Sequence, residues 1–205
     1  MIQKFSFSQY VPANAVDYCQ ELLNNHRFDF KIARPRQTRL GDFTVRPGSV
    51  PRITVNGNLN PYNFLITYLH ELAHLRVYEK HAAKWRKKPL PHGKEWKQTF
   101  QELLIPVLSD TIFPVAVLKP LINYARNPKA STSADRLLYA SLKDFDEVNG
   151  DETKVFLMHL NEGTNFVFQN RSFVKGAMRR TRVLCVEKNS QRLYTIPAHA
   201  LVETE

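Results

Sequence analysis

The sequence predicts an α+β chain in two parts: helices with a small three-stranded sheet over residues 1–146, then a small all-β module over residues 152–205. Three observations lead there. Apolar residues recur at helical spacing in five segments before Asp146. Three short β-rich runs, broken by Pro and Gly, lie between the first two of those segments. The polar, turn-prone "FDEVNGDETK" then separates this region from a stretch made only of short strands.

The elements follow in order. "PANAVDYCQELLNNH" reads as an amphipathic helix, with Val16, Cys19, Leu22 and Leu23 at 3.6-type spacing and Pro12 near its start. "FDFKIA", "GDFTVR" and "RITVNGNLN" read as strands of a small sheet. A long helix begins in "NPYNFLITYLHELAHLRVYEKHAAKW", where Asn60 can cap and Pro61 suits the first helical position. The prolines of "KKPLPHG" end it. "KEWKQTFQELLIPVL" is the next helix, with Trp96, Phe100, Leu103 and Leu104 on one face, and "VAVLKPLINYA" and "SADRLLYASLKDF" continue the helical texture. Past the boundary, "KVFLMHL", "TNFVFQ", "RSFVKG", "TRVLCVEK", "RLYTIP" and "HALVE" alternate with turns at Asn161-Glu162-Gly163, Gln169-Asn170 and Asn189-Ser190, the pattern of a compact β module.

Composition narrows the class. A hydrophobic content of 43% with 11% aromatic residues is that of a globular chain. No apolar run reaches the roughly 18 residues of a membrane helix, and the N-terminus lacks the apolar core of a signal peptide. Two cysteines, Cys19 and Cys185, are too few for a disulfide framework or a Cys-rich zinc cluster and read as small buried hydrophobes. The expected setting is soluble and cytoplasmic, at the nucleoid in a bacterial cell. The net charge of +10 favours a polyanionic partner, nucleic acid before membrane.

The chemistry is concentrated in "LHELAHL". On a helix His70 and His74, four apart, lie on one face and can aim ring nitrogens at one ion. Glu71 is turned about 100° from His70 toward the side where a metal-bound water would sit. Zinc lowers the pKa of such a water toward 7, and the glutamate takes its proton and passes it to a leaving amine. Phe64, Leu65, Leu69, Leu72, Leu75 and Val77 surround the pair, so the helix is largely buried and the imidazoles need partners.

A catalytic zinc takes a third protein ligand, and three residues are candidates. His81 is nearest, but in the pattern H-E-x-x-H-x-x-G-x-x-H the third histidine falls at Lys80 and glycine at Val77. Glu95 lies one residue from a thermolysin-type glutamate spacing. His92, in "PLPHGKEWK", stands at the start of the next helix, where Gly93 permits close backbone approach and Trp96 can pack that helix in place.

"HELAHL", followed after a basic, Pro-containing segment by "HGKEWK", resembles the SprT-like metalloprotease domain, the family that includes Spartan. The resemblance covers residues 1 to about 130 and implies a zincin-like fold, zinc held by His70, His74 and His92, and Glu71 as the base. It also implies a DNA-dependent peptidase that degrades proteins crosslinked to DNA. Many members end in a four-cysteine zinc ribbon. Here the β module has only Cys185, His159 and His199, so it is expected to be metal-free. For the substrate, "RITVNGNLN" is expected to be an edge strand bordering the cleft, with Ile53 and Val55 on one face, to which a peptide adds as a strand.

Two basic patches suit nucleic acid. Lys84, Arg86, Lys87 and Lys88 lie in the segment joining His74 to His92 and so near the rim of any metal cleft, where phosphates would release counterions on binding. Trp85 among them offers stacking to single-stranded or frayed DNA. The second patch holds Arg179, Arg180 and Arg182, on the β module. Two other functions fit the same residues: a nucleic-acid adaptor with a structural zinc, and a general metallopeptidase whose basic charge is incidental.

Overall fold

The computed structural model describes residues 5–36, 39–81, 89–146, 154–179, 182–198 and 200–204. The chain divides into two compact units, Met1–Asp146 and Glu147–Glu205.

In the first unit, helix α1 (Val16–Asn25) buries Cys19, Leu22 and Leu23. Strands β1 (Asp29–Ala33), β2 (Gly41–Thr44) and β3 (Arg52–Asn56) form a sheet in the order β1-β3-β2. β1 pairs parallel to β3, with Phe30 opposite Ile53, and β2 pairs antiparallel to it, with Phe43 opposite Ile53. This corrects the expectation for "RITVNGNLN". β3 is the central strand, both its edges are paired, and Ile53 and Val55 are each 0% exposed in the core. Alternating apolar residues mark one buried face of a strand but say nothing of its lateral position. The edge nearest the candidate site is β2. Leu40 C=O accepts from Asn56 N–H at 2.8 Å, so in this antiparallel register Asp42 and Thr44 bond to β3, while the backbone of Gly41 and Phe43 faces the free edge.

Helix α2 (Pro61–His81) packs on β2 and β3 and is the centre of the core. Its first fifteen residues are apolar nearly all round, which only a helix buried on several sides can be. Asn60 caps it as its sequence position suggests: Oδ1 accepts from Asn63 N–H at 2.9 Å. Its Nδ2 donates to Leu142 C=O at 2.8 Å, tying the start of α2 to the last helix of the unit. Helix α3 (Lys94–Leu104) lies against α2 through Trp96, Phe100, Leu103 and Leu104, all buried. Helices α4 (Val115–Arg126) and α5 (Arg136–Lys143) complete the unit.

The second unit is a six-stranded antiparallel sheet of β4 (Lys154–Phe156), β5 (Asn165–Phe168), β6 (Arg171–Arg179), β7 (Arg182–Glu187), β8 (Leu193–Pro197) and β9 (Leu201–Thr204), ordered β4-β9-β5-β6-β7-β8. Its small core holds Leu157, Phe166, Phe173, Val183, Cys185, Ile196, Ala198 and Val202. Gln169 and Asn170 adopt positive φ (52° and 60°), the backbone of a tight hairpin turn between β5 and β6. A register shift interrupts the β6–β7 pairing between Lys175 and Met178. Gly176 lies there, and a Cβ on it would stand 2.7 Å from Leu184 C=O. Among the described residues, no helix is long and apolar enough to cross a membrane.

Candidate metal centre

Two elements and one turn bring three histidines together. His70 and His74 project from the same face of α2, and His92 comes from the turn before α3. That turn is Leu90-Pro91-His92-Gly93, closed by Gly93 N–H to Leu90 C=O at 2.9 Å. Pro91 fills its second position, and His92 takes the positive φ (57°) of the third, the arrangement of a type II turn. A histidine in that left-handed conformation costs on the order of 1 kcal/mol or more, which the surrounding packing must hold in place. Gly93 is required for a local reason: a Cβ there would stand 2.9 Å from Leu90 C=O.

The three Nε2 atoms converge. His70 is 3.1 Å from His92, His74 is 3.0 Å from His92, and His70 is 3.3 Å from His74. Together they are close enough to hold one metal ion. Burial lowers the His70 imidazole to about 2, with His74 and His92 adding to the effect, and lowers His74 to about 4, with His92 adding. Burial also lowers His92. Neutral imidazoles are the state a metal requires, each offering a lone pair at Nε2 in its Nδ1–H tautomer. Trp96, 1% exposed, packs against all three rings at centroid distances of 4.6, 5.4 and 4.7 Å and stacks on Phe100. Its indole N–H donates to the His70 carbonyl at 3.3 Å. From the other side Phe43 of β2 lies parallel to the His74 ring, 6.3 Å between centroids.

Glu71 lines the same cleft, which encloses about 1020 Å³. It is 7% exposed, and burial raises its carboxyl to about 8, reinforced by Asp42 and opposed by Arg36 and the backbone amide of Phe43. Arg36 is held by Asn56, whose Oδ1 accepts from Arg36 Nε at 2.8 Å and whose Nδ2 donates to the carbonyls of Arg36 and Arg39 at 3.0 Å. β2 presses on the glutamate so closely that a Cβ on Gly41 would stand 2.7 Å from Glu71 Oε1.

Of the residues the sequence singles out, His70, Glu71, His74 and His92 are thus brought to one cleft. Glu95 is exposed and outside the cluster, and His81 lines the cleft without joining the three nitrogens. Ile53 and Val55 lie in the core, not in the cleft. Lys84, Trp85, Arg86, Lys87, Lys88, Arg180 and His199 lie outside the described residues. Arg179 and Arg182 are exposed and paired across β6 and β7, where Arg182 donates to Thr195 C=O at 2.7 Å. Sequence reasoning missed Gly41, Asp42 and Phe43 as cleft residues. The available signal was the glycine opening "GDFT", since a strand glycine often marks a close backbone approach.

Comparison of the chain with protein-family models, with curated proteins and with solved structures finds no match in any of the three.

Proposed function

We propose that this chain is a zinc-dependent peptidase with a zincin-like catalytic unit of the SprT-like kind, acting on DNA-associated proteins. The observation that carries the reading is the set of three Nε2 atoms 3.0–3.3 Å apart in one cleft with a buried glutamate. With Zn–N bonds of about 2.0–2.1 Å and tetrahedral angles, ligand nitrogens stand about 3.3–3.4 Å apart, so the triangle fits one face of a zinc tetrahedron within a few tenths of an ångström. An all-imidazole donor set suits zinc. Bound there, zinc supplies Lewis acidity that acidifies a water and polarises a carbonyl.

The chain's own residues do the rest. His70, His74 and His92 bind, and Trp96 and Phe43 fix two faces of the imidazole cluster. Ionised Glu71, the form that a cation in the cleft would favour over the proton the carboxyl holds when metal-free, accepts a proton and delivers it to the departing amine. A structural site has no use for a carboxylate walled into the cleft beside its ligands, which weighs against the adaptor reading. The outward backbone of Gly41 and the outward carbonyl of Phe43, whose N–H already serves Glu71, offer a substrate an edge for strand addition, in place of the buried β3.

The DNA association rests on charge. Residues 1–146 carry 21 Lys and Arg against 12 Asp and Glu, so about nine of the ten excess positive charges belong to the catalytic unit. Lys94, Lys97 and Arg126 line a pocket of about 510 Å³ that includes His92 in its wall. His81 and Pro89, which bracket the segment of Lys84, Arg86, Lys87 and Lys88, both line the metal cleft. Cleavage of an unfolded protein with and without single-stranded DNA tests the reading. The wild type should cleave, DNA should stimulate it at low salt, and Glu71→Gln should fall at least a hundredfold. Equal activity in wild type and Glu71→Gln would refute it. Cleavage indifferent to DNA would leave the general metallopeptidase.

A further inference from the structure

The cleft extends well beyond the three histidines, and its far half differs in chemistry from the near half. Its acidic lining residues are Asp42 and Glu71; Glu71 adjoins the ligand His70 on α2, and Asp42, paired with Arg39, acts on Glu71. The far end is reached along α2 through Val77 and Tyr78 to His81, and along the chain leaving β2 through Val45 and Arg46; Leu90 forms another part of the wall. Three of these are exposed apolar residues: Val45 at 38%, Tyr78 at 39% and Leu90 at 76%. Arg46 is exposed and makes no ion pair among the described residues. Apolar surface that opens onto a cleft, rather than being scattered singly, marks a place where something binds.

Resting on the peptidase reading, we infer that this far half is a specificity subsite for an extended polypeptide that carries an aromatic or large aliphatic side chain followed outward by an acidic one. Spacing sets the positions. Tyr78 is four residues beyond His74 and His81 seven, about 6 Å and 10.5 Å along the helix. An extended chain advances about 3.3 Å per residue. The apolar side chain therefore sits about two residues from the peptide bond held at the histidines, over Tyr78 and between Val45 and Leu90. The acidic side chain sits one or two residues further, against Arg46. Antiparallel addition to β2 is the stabler pairing. Because β2 runs from Gly41 beside Glu71 toward Val45, it places both side chains on the N-terminal side of the scissile bond. The far half thus selects by an apolar contact and a charge, independently of the metal ligands.

The test is binding, so that it does not depend on turnover. Zinc-loaded Glu71→Gln protein is titrated against two fluorescently labelled, end-blocked peptides of Gly, Ser and Ala. One carries Phe and, two residues N-terminal to it, Glu; the other carries Ser at both places. The Phe/Glu peptide should bind at least about tenfold more tightly. Adding Tyr78→Ala or Arg46→Glu should each shrink that advantage, because each removes one of the two contacts. Both positions are exposed, so the fold survives either change. Equal affinity for the two peptides, or a preference that Tyr78→Ala leaves intact, overturns the inference. If the preference is found and the wild type cleaves nothing, the subsite stands and the peptidase reading falls. If the wild type cleaves freely and no preference exists, the reverse holds.

Discussion

Gly41→Ala is the smallest change that reaches the candidate base without touching a ligand. A Cβ at position 41 would stand 2.7 Å from Glu71 Oε1, 2.8 Å from Glu71 Cγ and 2.8 Å from Thr67 Cγ2. Ordinary contacts between carbon atoms are about 3.5–4.0 Å, so the overlaps are close to an ångström. Thr67 is 6% exposed on the buried helix α2 and β-branched, so it has nowhere to turn. Relief must come from rotating Glu71 out of place or lifting β2 from α2. Overpacking of this kind costs about 1–3 kcal/mol, which for a domain of this size lowers the melting temperature by roughly 2–12 °C. A base displaced by about 1 Å loses on the order of a hundredfold in turnover. Melting should be followed on metal-free protein, so that zinc affinity does not mask the change, and zinc content and cleavage should be measured on loaded protein. The expected result is lower stability, one zinc retained and turnover down by that factor. Unchanged melting together with wild-type turnover would refute the close packing of β2 on Glu71.

The remaining predictions concern the histidines. His92→Ala should lose stoichiometric zinc while Glu95→Ala and His81→Ala keep it; loss of metal from Glu95→Ala with retention by His92→Ala, read by metal analysis, reverses the assignment. In metal-free protein, acid should destabilise the fold through His70 and His74. Their ordinary value is 6.5, and burial holds them at about 2 and about 4 when folded, so below pH 6.5 the unfolded chain binds more protons and stability falls as pH drops toward 4. From pH 7 to pH 5 the loss should be about 1–2 kcal/mol per histidine. A urea midpoint that does not move over that range, or that moves equally when both are replaced by Gln, contradicts this.

Much of the site was legible because its geometry is local. The four-residue spacing of His70 and His74 fixes a shared helix face, and the apolar residues around them fix burial. The third ligand was harder. Spacing counted against His81 but left Glu95 and His92 open, and what separates those two is the Leu90–Gly93 turn, in which a positive φ aims His92 back at α2. The strands of the sheet were readable from "FDFKIA", "GDFTVR" and "RITVNGNLN", but their lateral order was not. β1 passes over β2 in sequence to pair with β3, and pairing of that kind depends on what the faces bury rather than on chain order. Hence β3 took the centre, and the cleft's edge fell to β2. Its burial pattern shows no clear alternation, and its essential residue, Gly41, has no side chain to advertise a role. In the β module the alternation of Val183, Cys185 and Glu187 inward made β7 plain, whereas the register shift at Gly176 depends on the carbonyl of a neighbouring strand.

X-ray absorption at the zinc edge, on protein reconstituted with zinc and desalted, reads whether His70, His74 and His92 form one metal site. One zinc per chain is expected, with a first shell of nitrogen and oxygen at about 2.0–2.1 Å containing three imidazoles, falling to two in His92→Ala. Substoichiometric zinc, sulfur in the first shell, or a three-imidazole signal that persists in His92→Ala would contradict it.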